Sequence, residues 1–366
     1  METRPMPSCW PPRSRRCCMP HPYESQPDQA FWRKTVSAQA WGQLDFKPST
    51  KFKLTPSLKI VTAGSCFAQH MARRLEGFGL NHWVVEQAPA GLTPERAREL
   101  QYGVFSARYA NVYTVRQLRQ LVEFAFGLRE GDPPVLTEAS RFFDGLRPRI
   151  QAGGYDSLAD LRADRAWHLA QVRRLFTGCD VFVFTLGLTE AWVEQGSGIV
   201  FPVCPGTAAG DFDAERHGFV NFEYPEILAD LEWVREFVAG VNPGMRWIVT
   251  VSPVPLVATA TVQPVIVASS YSKAVLRAVA GRFADAHEGV EYFPSFEIIS
   301  SAQSFGQYLE GDLREVSPRG VDHVMRQFSA AFVEAGERVA AAPASIAAQA
   351  AAAAQVECEE LLNDRP

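Results

Sequence analysis

The stretch Leu58-Lys59-Ile60-Val61-Thr62-Ala63-Gly64-Ser65-Cys66-Phe67-Ala68 changes its period halfway along. Up to Ala63 it is a short run rich in β-branched residues, the composition of a strand, and Gly64 stops it. Beyond Cys66 the apolar positions become Ala68, Met71, Leu75 and Phe78, a helical i, i+3, i+7, i+10 stripe that Gly77 and Gly79 close. The segment therefore reads as strand, tight turn and helix, with Ser65 and Cys66 in the turn.

The same grammar recurs downstream. His82-Trp83-Val84-Val85-Glu86 is expected to form a second strand, and Thr114-Val115-Arg116-Gln117 has capping-box spacing ahead of apolar Leu118, Leu121, Val122 and Ala125. Asn111 lies in the loop just before it. Val181-Phe182-Val183-Phe184-Thr185 is apolar almost throughout, as a strand covered on both faces of a parallel sheet requires, and it runs into Leu186-Gly187-Leu188-Thr189-Glu190. Trp247-Ile248-Val249-Thr250-Val251 runs into Ser252-Pro253-Val254-Pro255, and Val290-Glu291-Tyr292-Phe293 into Pro294-Ser295-Phe296-Glu297. Helical stretches at 227–237 and 272–283 separate these strands. Strands alternating with helices predict a doubly wound parallel α/β sheet. The uncharged run 248–272 approaches membrane-span length, but Pro253, Pro255 and Pro264 make it a buried strand followed by a loop.

Length admits two domains or one large α/β domain, and composition does not choose between them. A chain of 366 residues, 47% hydrophobic and 21% charged, has ample material for a core and is neither disordered nor collagen-like. With 36 Lys plus Arg against 41 Asp plus Glu, a net charge of -5 leaves no polybasic field for nucleic acid or anionic lipid, so small molecules or proteins are the expected partners. The 7 cysteines are scattered without a CxxC pair, which argues against a disulfide framework or a zinc module and for a reducing cytoplasm. Residues 1–20 lack the apolar stretch of a signal peptide and read as a disordered or mis-assigned start. Residues 21–53, with Tyr23, Phe31, Trp32, Trp41 and Phe46, read as an arm packing on the domain. The domain itself is expected over 54–335, and an Ala-rich helical tail carrying Cys358 over 336–366.

In an open parallel sheet ligands sit at the carboxyl ends of the strands, so the loops after the strands hold the candidate site. They carry Gly64, Ser65 and Cys66, then Gly187, Thr189 and Glu190, then Ser252, then Ser295 and Glu297. Asp322 and His323, past the last strand, can fold back over the same edge. Cys66 is the sharpest candidate: a thiol at a helix N-terminus meets unsatisfied N–H groups and the positive end of the dipole, which favour thiolate and would also hold an oxyanion. A histidine base is then needed. Of the seven histidines His70 is one turn away on the same helix but leans along it, and His323 has the better location. Plainer readings stand beside these. A cysteine after a strand can be a small buried hydrophobe, Ser252 and Ser295 beside prolines can be turn formers, and Glu190 can complement a helix N-terminus. Thiol sensing would need Cys179 or Cys204 near Cys66. No GxGxxG, GK[ST], GxSxG or HExxH pattern is present, so no nucleotide, metal or other cofactor is expected.

Gly64-Ser65-Cys66-Phe67-Ala68 spells the motif of the GSCFA family. Further family-like segments are Tyr102-Gly103-Val104-Phe105, Asn111-Val112-Tyr113-Thr114, Phe184 through Trp192, Ser272-Lys273, and Gly320-Val321-Asp322-His323. On these residues the chain is identified as a member of that family over most of 21–330. The family in turn resembles the SGNH, or GDSL-type, ester hydrolases and acyltransferases. That resemblance implies a three-layer α/β/α fold with flavodoxin-like strand order. It places Cys66 at the nucleophile position with Ser65 beside it, Gly187 and Thr189 in the oxyanion block with Asn111 as a substitute donor, and His323 as the base. The relatives' Asp-x-x-His spacing falls on Gly320, so Asp322 or Glu297 would substitute as the orienting acid, or the dyad would work without a third member. The implied activity is acyl transfer by a Cys66-His323 pair, as an ester hydrolase or O-acyltransferase on a small-molecule or glycan substrate. The alternative is a non-catalytic glycan- or protein-binding domain of the same fold.

Overall fold

A computed structural model describes residues 21–47 and 49–334. The start over 1–20 and the Ala-rich tail over 336–366, with Cys358, lie outside the described residues. The chain divides between Leu44 and Asp45 into two compact units. In the first, the described part carries short 3-10 turns at Asp28–Ala30 and Trp41–Gln43. The second begins nine residues before the expected domain start at 54, because 45–53 is tied into it: Lys47 pairs with Glu291 at 3.0 Å, and Lys51 Nζ donates to the carbonyls of His287 and Val290.

The larger unit runs β1 (Ile60–Gly64), α1 (Phe67–Leu75), α2 (Pro94–Glu99), α3 (Val115–Ala125), the hairpin β2 (Val135–Glu138) and β3 (Arg141–Asp144), and α4 (Leu158–Gly178). It continues through β4 (Val181–Leu186), β5 (Glu190–Glu194), β6 (Val200–Phe201), β7 (His217–Asn221), α5 (Tyr224–Val241) and β8 (Arg246–Val251). The last elements are α6 (Val265–Ala286), β9 (Val290–Phe293), α7 (Ser295–Ser300) and α8 (Pro318–Phe332). The main sheet has the order β1-β4-β8-β9, every pair parallel. Its register puts Val61, Phe182 and Trp247 in one row and Ala63, Phe184 and Val249 in the next, on the face covered by α3, α4, α5 and α6. The opposite face is covered by α1, α7 and α8, with Phe293 packed on Phe328. This is a three-layer α/β/α arrangement with a parallel central sheet.

Two sequence expectations are corrected. Residues 82–86 do not form a strand: His82 makes one parallel bridge to Ile60 on the open edge of β1, the place where a flavodoxin-like order puts its second strand. Further pairing is pre-empted because Ser106 supplies its own partners, Oγ accepting from Thr62 N and the carbonyl from Val85 N. Residues 265–272 are not loop but the first turns of α6, which starts directly after Pro264, a residue whose fixed φ suits a helix entry. Among the described residues no helix is long and apolar enough to cross a membrane. A second, antiparallel sheet of order β6-β5-β7 grows straight out of the loop that follows β4.

Candidate active site

The exit of β1 is clamped on two sides. Gly64 has φ +138°, and a Cβ there would overlap the Thr185 carbonyl oxygen, so only glycine lets the chain leave β1 so close to β4. Ser65 N donates to Thr185 O at 3.2 Å, and Val112 N donates to Gly64 O at 2.8 Å. A Cβ on Gly187 would stand 2.9 Å from Ser65 Cβ and 2.9 Å from Tyr113 O, so the three backbones meet at near contact. Gly187 N and Leu188 N both donate to Tyr113 O, at 3.1 and 2.9 Å, and buried Lys273 Nζ donates to Gly187 O at 2.8 Å. On the α1 side Gln69 Nε2 donates to Asn111 Oδ1 at 3.3 Å. Thr189 N is held by Ser272 Oγ at 3.1 Å, while its carbonyl accepts from Phe222 N at 2.8 Å.

Sequence reading had assigned Gly64, Ser65, Cys66, Asn111, Gly187 and Thr189 to one site, and the strand-end loops do bring them to one stretch of the sheet edge. Cys66 is buried at the N-cap of α1. The hydroxyls of Ser65, Thr185 and Thr189 are buried without a hydrogen-bond partner. Buried polar atoms are normally satisfied, and three unsatisfied hydroxyls at one edge set this stretch of the sheet apart. One assignment is corrected: the Gly187 N–H is spent on Tyr113 and is not an oxyanion donor, which leaves the Thr189 hydroxyl in that loop.

His323 lies in the second turn of α8, buried, with its ring stacked on Tyr308 at 4.9 Å and edge-on to Phe46 at 6.3 Å. Its Nδ1 is 3.5 Å from the Arg326 guanidinium, and Nε2 has no partner. Burial, reinforced by Arg326 and Arg319, pushes its pKa down to about 4, so the ring is neutral at ordinary pH, with its lone pair on the Nδ1 that faces the Arg326 donor. It hydrogen-bonds neither Ser65 nor Cys66. Neither expected carboxylate orients it. Asp322 faces the other way and pairs with Arg74 in the last turn of α1, since neighbouring helix positions point about 100° apart. Glu297 accepts from Arg277 Nε at 2.5 Å and from the Tyr292 hydroxyl at 2.7 Å. Among the described residues no carboxylate touches the His323 ring.

The remaining expected residues tie loops. Ser252 Oγ accepts from Val254 N at 3.3 Å, and Ser295 Oγ donates to Val251 O at 2.9 Å beside Thr250 Oγ1 at 2.5 Å. Glu190 accepts from Thr259 Oγ1 at 2.7 Å and Ala260 N at 3.3 Å. His70 packs on Phe67 and is driven down to about 3 by burial and by Arg73 and Arg74. Cys179 does not serve as a resolving thiol: it precedes β4, whose six residues span roughly 20 Å from the edge where Cys66 sits. Its sulfur lies 3.2 Å from Met245 Sδ, and burial pushes its thiol up to about 12. Among the described residues no cluster of metal-ligating side chains occurs.

Sequence reasoning missed Gln69, Tyr113 and the role of Lys273. Gln69 was findable as the polar residue one turn after Ser65 inside an apolar helix face. Tyr113 acts through its carbonyl, for which no side-chain signal exists. Also unforeseen was the His168–Glu86 pair at 2.7 Å, part of a buried network in which Arg108 and Arg147 both hold Asp164 while Arg147 and Arg165 hold Asp144. The GSCFA family model matches residues 59–328, from the entry of β1 into α8. No curated protein matches the chain.

Proposed function

The chain belongs to the GSCFA family, whose match takes in the sheet and its strand-end loops, and from that premise we propose that it is an acyl-transfer enzyme, an ester hydrolase or O-acyltransferase working at the β1 exit. The observation that carries the reading is the convergence of the Ser65-Cys66 turn with Asn111, Gly187 and Thr189 around buried, unpartnered hydroxyls. The Cys66 sulfur attacks the acyl carbonyl and its proton passes to the neutral His323 ring. The bond from carbonyl carbon to the leaving oxygen breaks, and that oxygen takes the proton. The acyl group then moves from sulfur to water or to an acceptor hydroxyl. The thiol and the ring are not bonded in the resting site; such contacts commonly tighten only once substrate is bound.

The deciding experiment compares hydrolysis of activated esters and labelling by acyl- and thiol-directed probes in wild type, Cys66→Ala, Cys66→Ser and Ser65→Ala. Cys66→Ala should lower turnover by about 10³-fold or more, as removal of a nucleophile does. Full activity in Cys66→Ala ends the assignment, and a collapse confined to Ser65→Ala transfers the role to the hydroxyl. For the base, His323→Ala should shift the dependence of Cys66 reactivity on pH, and an unchanged profile removes His323 from the reaction.

A binding domain of the same fold is the second reading, favoured by the ring of His323 having no carboxylate among the described residues. It is supported if wild type labels no better than Cys66→Ala.

A further inference from the structure

A cavity of about 240 Å³ opens beside the site, walled by Leu188, Trp192, Val203, Phe219, Leu256 and Ala258. Leu188 directly follows Gly187, whose backbone packs so closely on Ser65 that an added Cβ would stand 2.9 Å from Ser65 Cβ, so the cavity wall begins one residue from the backbone that meets the proposed reacting turn. The same Leu188 and Leu256 pack with Tyr113 and Ala268, tying the wall to the carbonyl that holds the β4 loop.

The polar side chains that reach this cavity spend their hydrogen bonds elsewhere. Glu190 is occupied by Thr259 and Ala260, which also pins the 256–260 wall. Thr207 Oγ1 donates to Cys204 O at 2.6 Å, and the Cys204 thiol, kept protonated because burial pushes it up to about 11, faces the Pro205 carbonyl at 3.5 Å. The cavity therefore presents carbon, a surface that favours an alkyl chain and offers a sugar ring too few donors and acceptors.

We propose that this cavity is an acyl-chain pocket that receives the aliphatic tail of the transferred group while its carbonyl lies at the Ser65-Cys66 turn. The inference rests on the acyl-transfer reading of the adjacent site and names its substrate class. At roughly 30 Å³ for a water-sized group, the volume admits a chain of about six to eight carbons.

The test is equilibrium binding of straight-chain fatty acids from butanoate to dodecanoate to the full chain, followed by calorimetry or by tryptophan fluorescence. The dissociation constant should fall about fourfold per added methylene up to octanoate and then level off or rise. Val203→Phe, which fills the cavity, should weaken octanoate at least tenfold; Leu256→Ala, which enlarges it, should move the optimum to a longer chain. Both variants are judged only where their unfolding midpoints show a folded protein, and their opposite shifts keep the test valid if one is lost. Binding without chain-length dependence, an octanoate affinity unchanged in Val203→Phe, or tighter binding of an oligosaccharide than of octanoate overturns the pocket. The series is repeated in Cys66→Ala. A normal binding series together with no ester turnover in wild type sinks the acyl-transfer reading alone, whereas ester turnover without the series sinks the pocket alone.

Discussion

Two glycines hold the Ser65-Cys66 turn in place, each for a different reason. Gly64 needs a backbone conformation with φ +138° that L side chains rarely adopt, and its missing Cβ leaves room for the Thr185 carbonyl. Gly64→Ala is expected to destabilise the protein by about 3 kcal/mol or more, read as a shift of the urea midpoint at constant slope; a loss under about 1 kcal/mol would contradict the clamp. Gly187 has an ordinary backbone but would press a methyl on Ser65 and Tyr113 from 2.9 Å. Gly187→Ala should therefore cost less stability than Gly64→Ala yet alter the rate at which Cys66 reacts with a thiol reagent. Both glycines were visible in the sequence as strand punctuation. That Gly187 faces Ser65 was not, because the two lie on different strands and meet only through the β1-β4 register.

The capping box of α3 links an element to the site. Gln117 Oε1 accepts from Tyr113 N at 3.0 Å and Thr114 N at 2.9 Å, while Thr114 Oγ1 accepts from Gln117 N at 3.2 Å. The cap thereby fixes the very peptide whose carbonyl holds Gly187 and Leu188. Gln117→Ala is expected to cost about 1 kcal/mol, as loss of a cap does, and to change Cys66 reactivity as well, while Gln117→Glu should retain most of the stability. A stability loss with Cys66 reactivity untouched would show the cap to be local. At this scale the sequence was legible where one period ran unbroken: β1, β4, β8, β9 and the Thr114-Gln117 cap all appear where the pattern puts them. It misled at 82–86, where Ser106 captured the strand's donors, and at 265–272, where the helix begins directly after Pro264 although Val265, Ile266 and Val267 stay exposed.

Across the whole molecule, buried histidines make the fold acid-sensitive. Burial drives His82, bonded to Thr62 and Ser106, down to about 4, and His70 to about 3. Between the ordinary histidine value near 6.5 and these lowered ones, the unfolded chain binds protons that the native state refuses, so stability must fall as pH drops through that window and stay flat above it. The loss due to His82 should reach about 2 kcal/mol at pH 5 relative to pH 7, measured by urea unfolding, and His82→Gln should flatten the slope. Equal midpoints at the two pH values would mean that these rings are not neutral in the folded state. The buried ions act at the same scale: Asp144, held well below the usual carboxylate range by Arg147 and Arg165, joins the β2-β3 hairpin to α4. Local pattern alone settles the run of strand, turn and helix and the strand-end place of Ser65 and Cys66, because periods of two and 3.6 are written in neighbouring residues. Packing alone decides that Asp322 serves Arg74 and not His323, that Tyr113 takes the Gly187 N–H, and that the hydroxyls of Ser65 and Thr189 stay unpaired. Those contacts join residues far apart in the chain, and their partners are chosen by strand order and helix facing, which no local period encodes.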